Sequence, residues 1–293
     1  MTTRRDLLTM TAVLAALPGW ALAQQPQRPV LPLDTPGLDH LDVLVPDVEK
    51  SARFYMGLFR TTLHAQPFQG AQRYFVLLGS LPENRAVGYI AVGAARGRPT
   101  AIGHFCTSVA NWRENSAPVF AQMKEQFRAA GFGDFPGSTG FGGIFNDPDG
   151  IEIQFLPSPD TLVTAAVPSD LVPSQQGLVV PQRVDNVLVR VSELGKALAY
   201  YRILYGKETR SDARTALFTF RNGSRLQLEE ISYMYGQGTP RISRFGILVK
   251  PFDRAAAATA IASLGGKVVM DDGKVLRLQD PDGIELELVL TQG

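Results

Sequence analysis

The sequence predicts an α+β fold made of two similar halves, and three observations lead to this prediction. Alternating apolar residues mark short strands, a helical period of about 3.6 residues marks the helices between them, and one turn motif occurs twice. The motif Asp147-Pro148-Asp149-Gly150-Ile151-Glu152 returns as Asp280-Pro281-Asp282-Gly283-Ile284-Glu285. Both copies precede an alternating strand, so we predict the same closing hairpin in each half.

Each half opens with a predicted strand and an amphipathic helix. Residues 38–45 alternate, Asp47 is placed to cap the next helix, and that helix covers residues 48–59. The second half repeats this order with a strand over 184–191 and a helix that begins at Ser192 and stops at Gly206. The two halves therefore start and end alike, as expected of a duplication.

Each half splits again, which gives four units with the order β-α-β-β-β. In the first half the pattern predicts a helix over 116–130 and strands over 74–78, 87–92, 102–109 and on both sides of the turn. In the second half it predicts a helix over 253–264 and strands over 216–220, 225–230, 245–249, 267–270, 275–279 and after the turn. We assign residues 37–157 and 182–291 to the two halves and the proline-bearing stretch 158–181 to a linker.

Composition favours a globular protein that handles a small molecule. The 293 residues carry a formal net charge of +1, and no basic run with interleaved aromatic residues occurs, so a nucleic-acid partner is not expected. The single cysteine, Cys106, excludes an intramolecular disulfide. We interpret Cys106 as a small buried hydrophobic residue, with a metal-binding thiolate as the alternative.

The first 23 residues are typical of an export signal. Thr3-Arg4-Arg5-Asp6-Leu7-Leu8 is a twin-arginine pattern, a short apolar stretch follows, and Ala21-Leu22-Ala23 is a small-x-small cleavage signal. The apolar stretch is too short to span a bilayer, although an uncleaved anchor is the alternative. We expect a periplasmic protein that the twin-arginine machinery exports in folded form, with residues 24–36 as a linker and no membrane contact after cleavage.

The paired units, with His40 on an early strand and His104 on a later one, resemble the vicinal oxygen chelate superfamily. That superfamily includes glyoxalase I, type I extradiol dioxygenases, fosfomycin-resistance enzymes and bleomycin-binding proteins. The resemblance covers residues 37–290 and implies two vicinal oxygen chelate modules, each with two units curled into a cup. It also implies metal ligands on the first and last strands of the units.

Mapped onto this chain, the resemblance gives His40, His104 and Gln154 as metal ligands in the first module. Gln154 stands where the family usually has glutamate, and Tyr89 stands where glyoxalase-like members have a fourth carboxylate. The implied cofactor is a divalent ion, Fe²⁺, Mn²⁺, Zn²⁺ or Ni²⁺, with open positions for a substrate that has two adjacent oxygens. A neutral amide oxygen binds metal less tightly than a carboxylate and leaves the ion more electrophilic.

Other residues near these positions have two interpretations each. Glu152 is a candidate base, ligand or hydrogen-bond acceptor, but its counterpart Glu285 in the half without a histidine pair favours a structural role equally. Tyr89 is either core or a hydrogen-bond donor to substrate. His64 matches no ligand position, so we expect it at the surface or the pocket rim. The glycine-rich run over 131–143 lacks the context of a phosphate loop and is interpreted as a lid.

In the second module the matched positions are Asn186, Arg244 and Glu287, with Glu229 near the fourth. Arginine cannot ligate a metal, so we predict that Arg244 pairs with Glu287 or Glu229 and that this module is a structural partner.

The sequence thus supports two hypotheses: a metal-dependent dioxygenase, lyase or isomerase, or a non-catalytic periplasmic binding protein of the bleomycin-resistance type. The His pair favours the enzyme, and Gln154 favours the binding protein. One chain already supplies four units, so a monomer is expected as readily as a homodimer.

Overall fold

A computed structural model describes residues 31–79, 88–110, 112–132, 143–157, 167, 169–172, 177–231 and 238–291. Within this part of the chain there are two sheets, of seven and eight strands, and four α-helices. The predicted signal peptide, residues 24–30 of the first linker and residues 133–142 of the glycine-rich run lie outside the described residues. The mixed α+β architecture with two modules confirms the predicted fold class.

The first module contains one helix after each of its two central strands. Its first unit comprises β1 (Leu38–Val45), α1 (Val48–Leu58), β2 (Leu63–Phe68), β3 (Ala71–Leu78) and β4 (Gly88–Ala94). Its second unit comprises β5 (Ala101–Val109), α2 (Trp112–Ala129), β6 (Ile144–Asn146) and β7 (Glu152–Pro157). Asp47 caps α1 as predicted, because its side chain accepts hydrogen bonds from the backbone N–H groups of Glu49 and Lys50.

The second module repeats this order. Its first unit comprises β8 (Pro181–Val191), α3 (Leu194–Tyr205), β9 (Arg210–Ser211), β10 (Thr215–Thr219) and β11 (Arg225–Glu230). Its second unit comprises β12 (Arg241–Val249), α4 (Arg254–Ser263), β13 (Lys267–Asp271), β14 (Val275–Gln279) and β15 (Glu285–Leu290). Gly206 ends α3 at a φ of 77°, a conformation that glycine adopts without steric cost.

The two sheets share one topology. Strand order is β2-β3-β4-β1-β5-β7-β6 in the first and β13-β14-β15-β12-β8-β11-β10-β9 in the second. In each module the first strands of the two units pair antiparallel at the centre, β1 with β5 and β8 with β12, and each also pairs parallel with the last strand of its own unit. This arrangement places the first and last strands of both units side by side at the centre of the sheet.

Several element boundaries differ from the sequence predictions. Helix α3 begins two residues after Ser192, because the Ser192 hydroxyl and N–H both bond to Asp149 of the other module instead of capping the helix. Helix α2 begins at Trp112 rather than at residue 116, with Pro118 inside it. Strand β12 begins four residues before Phe245, because Arg241 and Ile242 pair with β8.

The segments expected to be linkers are partly docked. Leu31 and Leu33 are buried, and the Leu33 N–H donates to the carbonyl of Leu204 on α3. Before β8, Val179 is fully buried and forms a bridge with Phe59 at the end of α1. One continuous apolar core therefore extends through both modules.

Candidate metal centre

Three side chains from three strands converge on one face of the first sheet. His40 lies on β1, His104 on β5 and Gln154 on β7. His40 Nε2 is 2.9 Å from Gln154 Oε1 and 3.3 Å from His104 Nε2, and His104 Nε2 is 3.0 Å from Gln154 Oε1. Both histidines are almost completely buried. The structure thus brings together the three residues that the sequence predicted as ligands, which we call the triad.

The hydrogen bonds behind the triad determine which atoms face its centre. His40 Nδ1 lies 2.8 Å from Asp39 Oδ1, so the ring proton belongs on Nδ1 and the Nε2 lone pair points at the other two residues. Asp39 is itself held by Ser108, whose hydroxyl donates to Asp39 Oδ2 over 2.9 Å. A carboxylate behind a histidine is the arrangement that orients metal-binding imidazoles in proteins.

His104, like His40, has a carboxylate near its Nδ1 atom. Its Nδ1 lies 3.6 Å from Asp42 Oδ2, and Asp42 is also paired with Arg73. Burial lowers the pKa of His104 well below its usual 6.5, and electrostatic interactions with His40 and Arg73 act in the same direction. His104 is therefore a neutral imidazole at pH 7, the protonation state that a metal ligand requires.

The donor set fits a divalent ion. Two ligands at right angles and about 2.1 Å from a metal are separated by about 3.0 Å, which is close to the three distances within the triad. Two imidazole lone pairs and an amide oxygen are all acceptors at this separation, so a cation between them removes their mutual repulsion. Two imidazoles with one oxygen donor suit Fe, Mn, Zn or Ni and leave coordination positions open.

Cys106 is completely buried, as predicted for a small hydrophobic residue. Its Sγ also lies within a 4.8 Å group of potential ligand atoms with Asp39 and His40. The 2.8 Å hydrogen bond between Asp39 and His40 occupies His40 Nδ1, so this side of the ring already has a partner. A metal bound by this residue would therefore lie on the Nε2 side of His40.

Aromatic side chains form the wall next to the triad. The Tyr89 ring stacks on His40, with centroids 4.2 Å apart and planes inclined by 14°, and Phe75 contacts Tyr89 edge-on. Phe75, Tyr89, Leu77 and Ala91 form an apolar cluster separate from the main core. Tyr89 thus supports the His40 ring, and its predicted role toward substrate stays a prediction.

The other predicted residues lie nearby without contacting the triad. Glu152 is paired in register with His104 on the neighbouring parallel strand, and among the described residues it forms no hydrogen bond with the triad. His64 on β2 is half-buried, and its Nδ1 is buried without a hydrogen-bond partner in the described part of the chain. Burial lowers the pKa of His64.

In the second module a charged cluster takes the equivalent place. Arg244 Nε lies 3.0 Å from Glu287 Oε1, and Arg277 reaches the same oxygen at 2.8 Å. Glu229 instead pairs with Arg190. The predicted pairing of Arg244 with Glu287 is therefore present, and this cluster holds two cations around the carboxylate that matches Gln154.

The sequence reasoning missed the residues behind the histidines. Asp39, Asp42, Ser108 and Arg73 position the triad, yet each was treated as ordinary strand sequence. One local signal was available, because Asp42 shares the face of His40 in a strand that should otherwise be apolar on both faces.

One family model matches the first module. Residues 37–155 match the profile of the family described as "Glyoxalase/Bleomycin resistance protein/Dioxygenase superfamily". No curated protein sequence matches the chain. No helix in the described ranges is both long and apolar enough to cross a membrane.

Several solved structures share the fold at low identity. The Mn(II)-bound glyoxalase from Novosphingobium aromaticivorans is 11% identical with a TM-score of 0.62, over 88% of this chain and 83% of that one. The 2,3-dioxygenase LapB from Pseudomonas sp. KL28 is 12% identical with a TM-score of 0.60, over 89% and 94%. Homoprotocatechuate 2,3-dioxygenase from Brevibacterium fuscum, in complex with 3,4-dihydroxyphenylacetate, is 14% identical with a TM-score of 0.61, over 90% and 83%.

Proposed function

We propose that this chain is a divalent-metal enzyme acting on an oxygen-rich small molecule, because residues 37–155 match the model of the glyoxalase, bleomycin resistance protein and dioxygenase superfamily. The observation that supports this most directly is the convergence of His40, His104 and Gln154 within 3.3 Å of one another. The reaction class is a dioxygenase, lyase or isomerase. The metal, when bound, would act as a Lewis acid toward two adjacent substrate oxygens.

In this proposal, different residues of the chain hold the ion, orient its ligands and contact the substrate. His40, His104 and Gln154 would hold the ion through three neutral donors. Asp39 fixes the His40 tautomer, and Tyr89 restrains the ring by stacking. The apolar cluster beside them excludes water from one side of the substrate and favours a planar or apolar body.

Glu152 remains our candidate for proton transfer. Its carboxylate lies on the sheet face of the triad, one strand from His104, and makes no competing hydrogen bond there among the described residues. We propose that a base on the strand next to His104 reaches a substrate hydroxyl directly or through one water molecule.

The rival function is a non-catalytic binding protein that uses the cup for a small apolar ligand. Such a protein needs no carboxylate behind a buried histidine, since a neutral imidazole satisfies its own polar atoms with one hydrogen bond on each nitrogen. The Asp39–His40 pair, supported in turn by Ser108, favours the metal enzyme.

Metal analysis tests the proposal. Protein purified without chelators should contain about one Fe, Mn, Zn or Ni ion per chain, and His40→Ala and His104→Ala should each lose it. His64→Ala is the matched control, because it removes the third histidine of the chain from outside the triad and should keep the metal. Metal-free wild-type protein that still binds small ligands would overturn the enzyme in favour of the binding protein.

Cell fractionation tests the location of the protein. We propose export by the twin-arginine route, supported by Arg4-Arg5 and by the cleavage signal at Ala21-Leu22-Ala23. The mature protein should be recovered from the periplasmic fraction, and replacement of both arginines by lysine should retain it inside the cell. Equal recovery of the lysine variant from the periplasm would contradict this route.

A further inference from the structure

A separate pocket lies on the sheet face that holds the triad. A pocket of ≈ 100 Å³ opens near the ends of β1, β3 and β4. We call it the arginine pocket and define it by Asp42, Phe68, Arg73, Gly93, Arg96 and Arg98. None of the roles proposed above for the triad uses its arginines to contact a ligand.

Strand register places this pocket two rows from the triad on a continuous surface. His40 pairs with Tyr89, Asp42 with Ala91, and Leu44 with Gly93, in steps of two residues along β1 and β4. Alternate residues share a face and are about 7 Å apart along a strand. The surface therefore runs from the row of His40 and Tyr89, past the row of Asp42 and Ala91, to the row of Leu44 and Gly93.

The pocket carries an excess of positive charge. Three arginines line it against one carboxylate, Asp42, which is already paired with Arg73. Arg96 bonds to the carbonyls of Phe68 and Gln69 and so shapes the rim. The arginines outnumber the carboxylate by two, which attracts an anion.

Two guanidinium groups have donors left for a ligand. Arg73 Nε is buried and has no hydrogen-bond partner in the described part of the chain. Arg98 is exposed, and the hydrogen bond recorded for its Nε, to the carbonyl of Ala95, is long at 3.5 Å. An arginine fork with unused donors is suited to bind a carboxylate.

Gly93 keeps the floor of the pocket open. A Cβ atom at this position would lie 3.6 Å from Asp42 Oδ1 and 3.9 Å from Arg73 Nε, so a side chain here would occupy the space next to the free donor. The small residue therefore leaves room for a ligand group beside the arginine.

We propose that the arginine pocket binds a carboxylate of the substrate whose adjacent oxygens chelate at the triad. This inference rests on the proposed function and narrows its substrate class to a molecule with a chelating end, a flat apolar middle and an anionic end. The middle lies along Phe75 and Tyr89, which line the surface between the two sites. Arg73 pairs with Asp42 in the middle row, which is about 7 Å along the strand from the row of His40, and one ring with a short arm spans that length.

Paired ligands on Mn-loaded protein test the inference by calorimetry at low ionic strength. We expect 3,4-dihydroxyphenylacetate to bind about tenfold or more tightly than 4-methylcatechol, which has the same diol and no carboxylate. Arg98→Gln, which removes the charge, and Gly93→Val, which fills the floor, should both bring this ratio close to one. Arg221→Gln is the control, because it removes an equally charged side chain that pairs with Asp34 away from the pocket.

The outcomes separate the two proposals. Equal affinity for the two catechols in the wild type overturns the carboxylate site and leaves the metal enzyme intact. If neither catechol binds, the chelating role fails, and phenylacetate titrated into the wild type and Arg98→Gln then decides the pocket alone. Phenylacetate binding that Arg98→Gln weakens supports the anion site, and absence of binding, or binding that Arg98→Gln leaves unchanged, overturns it.

Discussion

At the scale of single residues, Gln154 distinguishes this triad from one with a carboxylate ligand. A neutral third donor leaves both positive charges of a bound divalent ion uncompensated by direct ligands. Asp39 lies behind His40 and Asp42 lies near His104, so two carboxylates are placed one residue away from the ion. Carboxylates in this position raise the basicity of the imidazoles that they contact. The site therefore moves its negative charge from the ligands to the residues behind them.

Gln154→Glu tests this distribution of charge. Because a carboxylate replaces an amide dipole next to a dication, we expect metal affinity to rise by about tenfold or more. Competition with a fluorescent chelator measures the change. Gln227→Glu, on a strand of the second module, is the matched control and should leave metal affinity unchanged. Weaker metal binding in Gln154→Glu would show that this side chain is not a ligand.

The candidate site could be predicted only where residue type and strand position were sufficient. His40, His104 and Gln154 follow from a family pattern in which each ligand has a fixed place on its strand. Asp39 and Arg73 could not be found in this way, because their roles depend on partners 69 and 31 residues away in sequence, Ser108 and Asp42. Such contacts are set by register between strands, which a single sequence does not specify.

At the scale of elements, each closing turn receives a hydroxyl from the first helix of the other module. Tyr201 on α3 donates to Asp147 over 3.0 Å, and Tyr55 on α1 donates to Asp280 over 2.9 Å. Ser51 donates to Asp282 in the same way. The repeated Asp-Pro-Asp-Gly turns are therefore docking points between modules as well as hairpins.

The first turn predicts a measurable pH dependence of stability. Burial raises the pKa of Asp147 to about 6 from 3.8, against the opposing hydrogen bonds from Ile151, Asp149 and Tyr201. A carboxyl with a raised pKa in the folded state favours folding fully below pH 3.8. That contribution, about 3 kcal/mol, is lost as the pH rises from there through about 6.

Asp147→Asn keeps a neutral group of the same shape at this position. It should therefore remove this part of the dependence of folding stability on pH. Urea unfolding of metal-free protein at several pH values between 4 and 7 measures it, with wild type and variant compared at each pH. The wild type serves as the control. Both proteins contain the same histidines, so the titration of histidine does not account for a difference between their curves. Parallel stability curves for the two proteins would contradict a raised pKa at Asp147.

At the scale of the whole molecule, two modules share a core but not a chemistry. The strand order and central antiparallel pair are the same in both, which is why alternation and turns in the sequence predicted the architecture well. The docking of Leu33 on α3 and of Val179 beside Phe59 was not predicted, because isolated apolar residues in a proline-rich stretch have no period to interpret.

The shared core predicts that the first module does not fold alone. Residues 37–157 expressed separately would expose the face of α1 that packs against the second module, including Tyr55 and Phe54. We expect no cooperative thermal transition by circular dichroism. Co-expression with residues 177–291 should restore one. A stable, monomeric, metal-binding fragment 37–157 would show that the modules are independent.

The crossed hydroxyl contacts also have a consequence for biosynthesis. Tyr55 is synthesised 225 residues before its partner Asp280. At about 5 to 20 residues per second, the ribosome takes roughly 10 to 45 seconds to supply that partner. Until then helix α1 lacks the partner in the second module that its buried Tyr55 hydroxyl contacts in the folded protein. The twin-arginine route proposed above would suit such a chain, because that route carries proteins that have already folded.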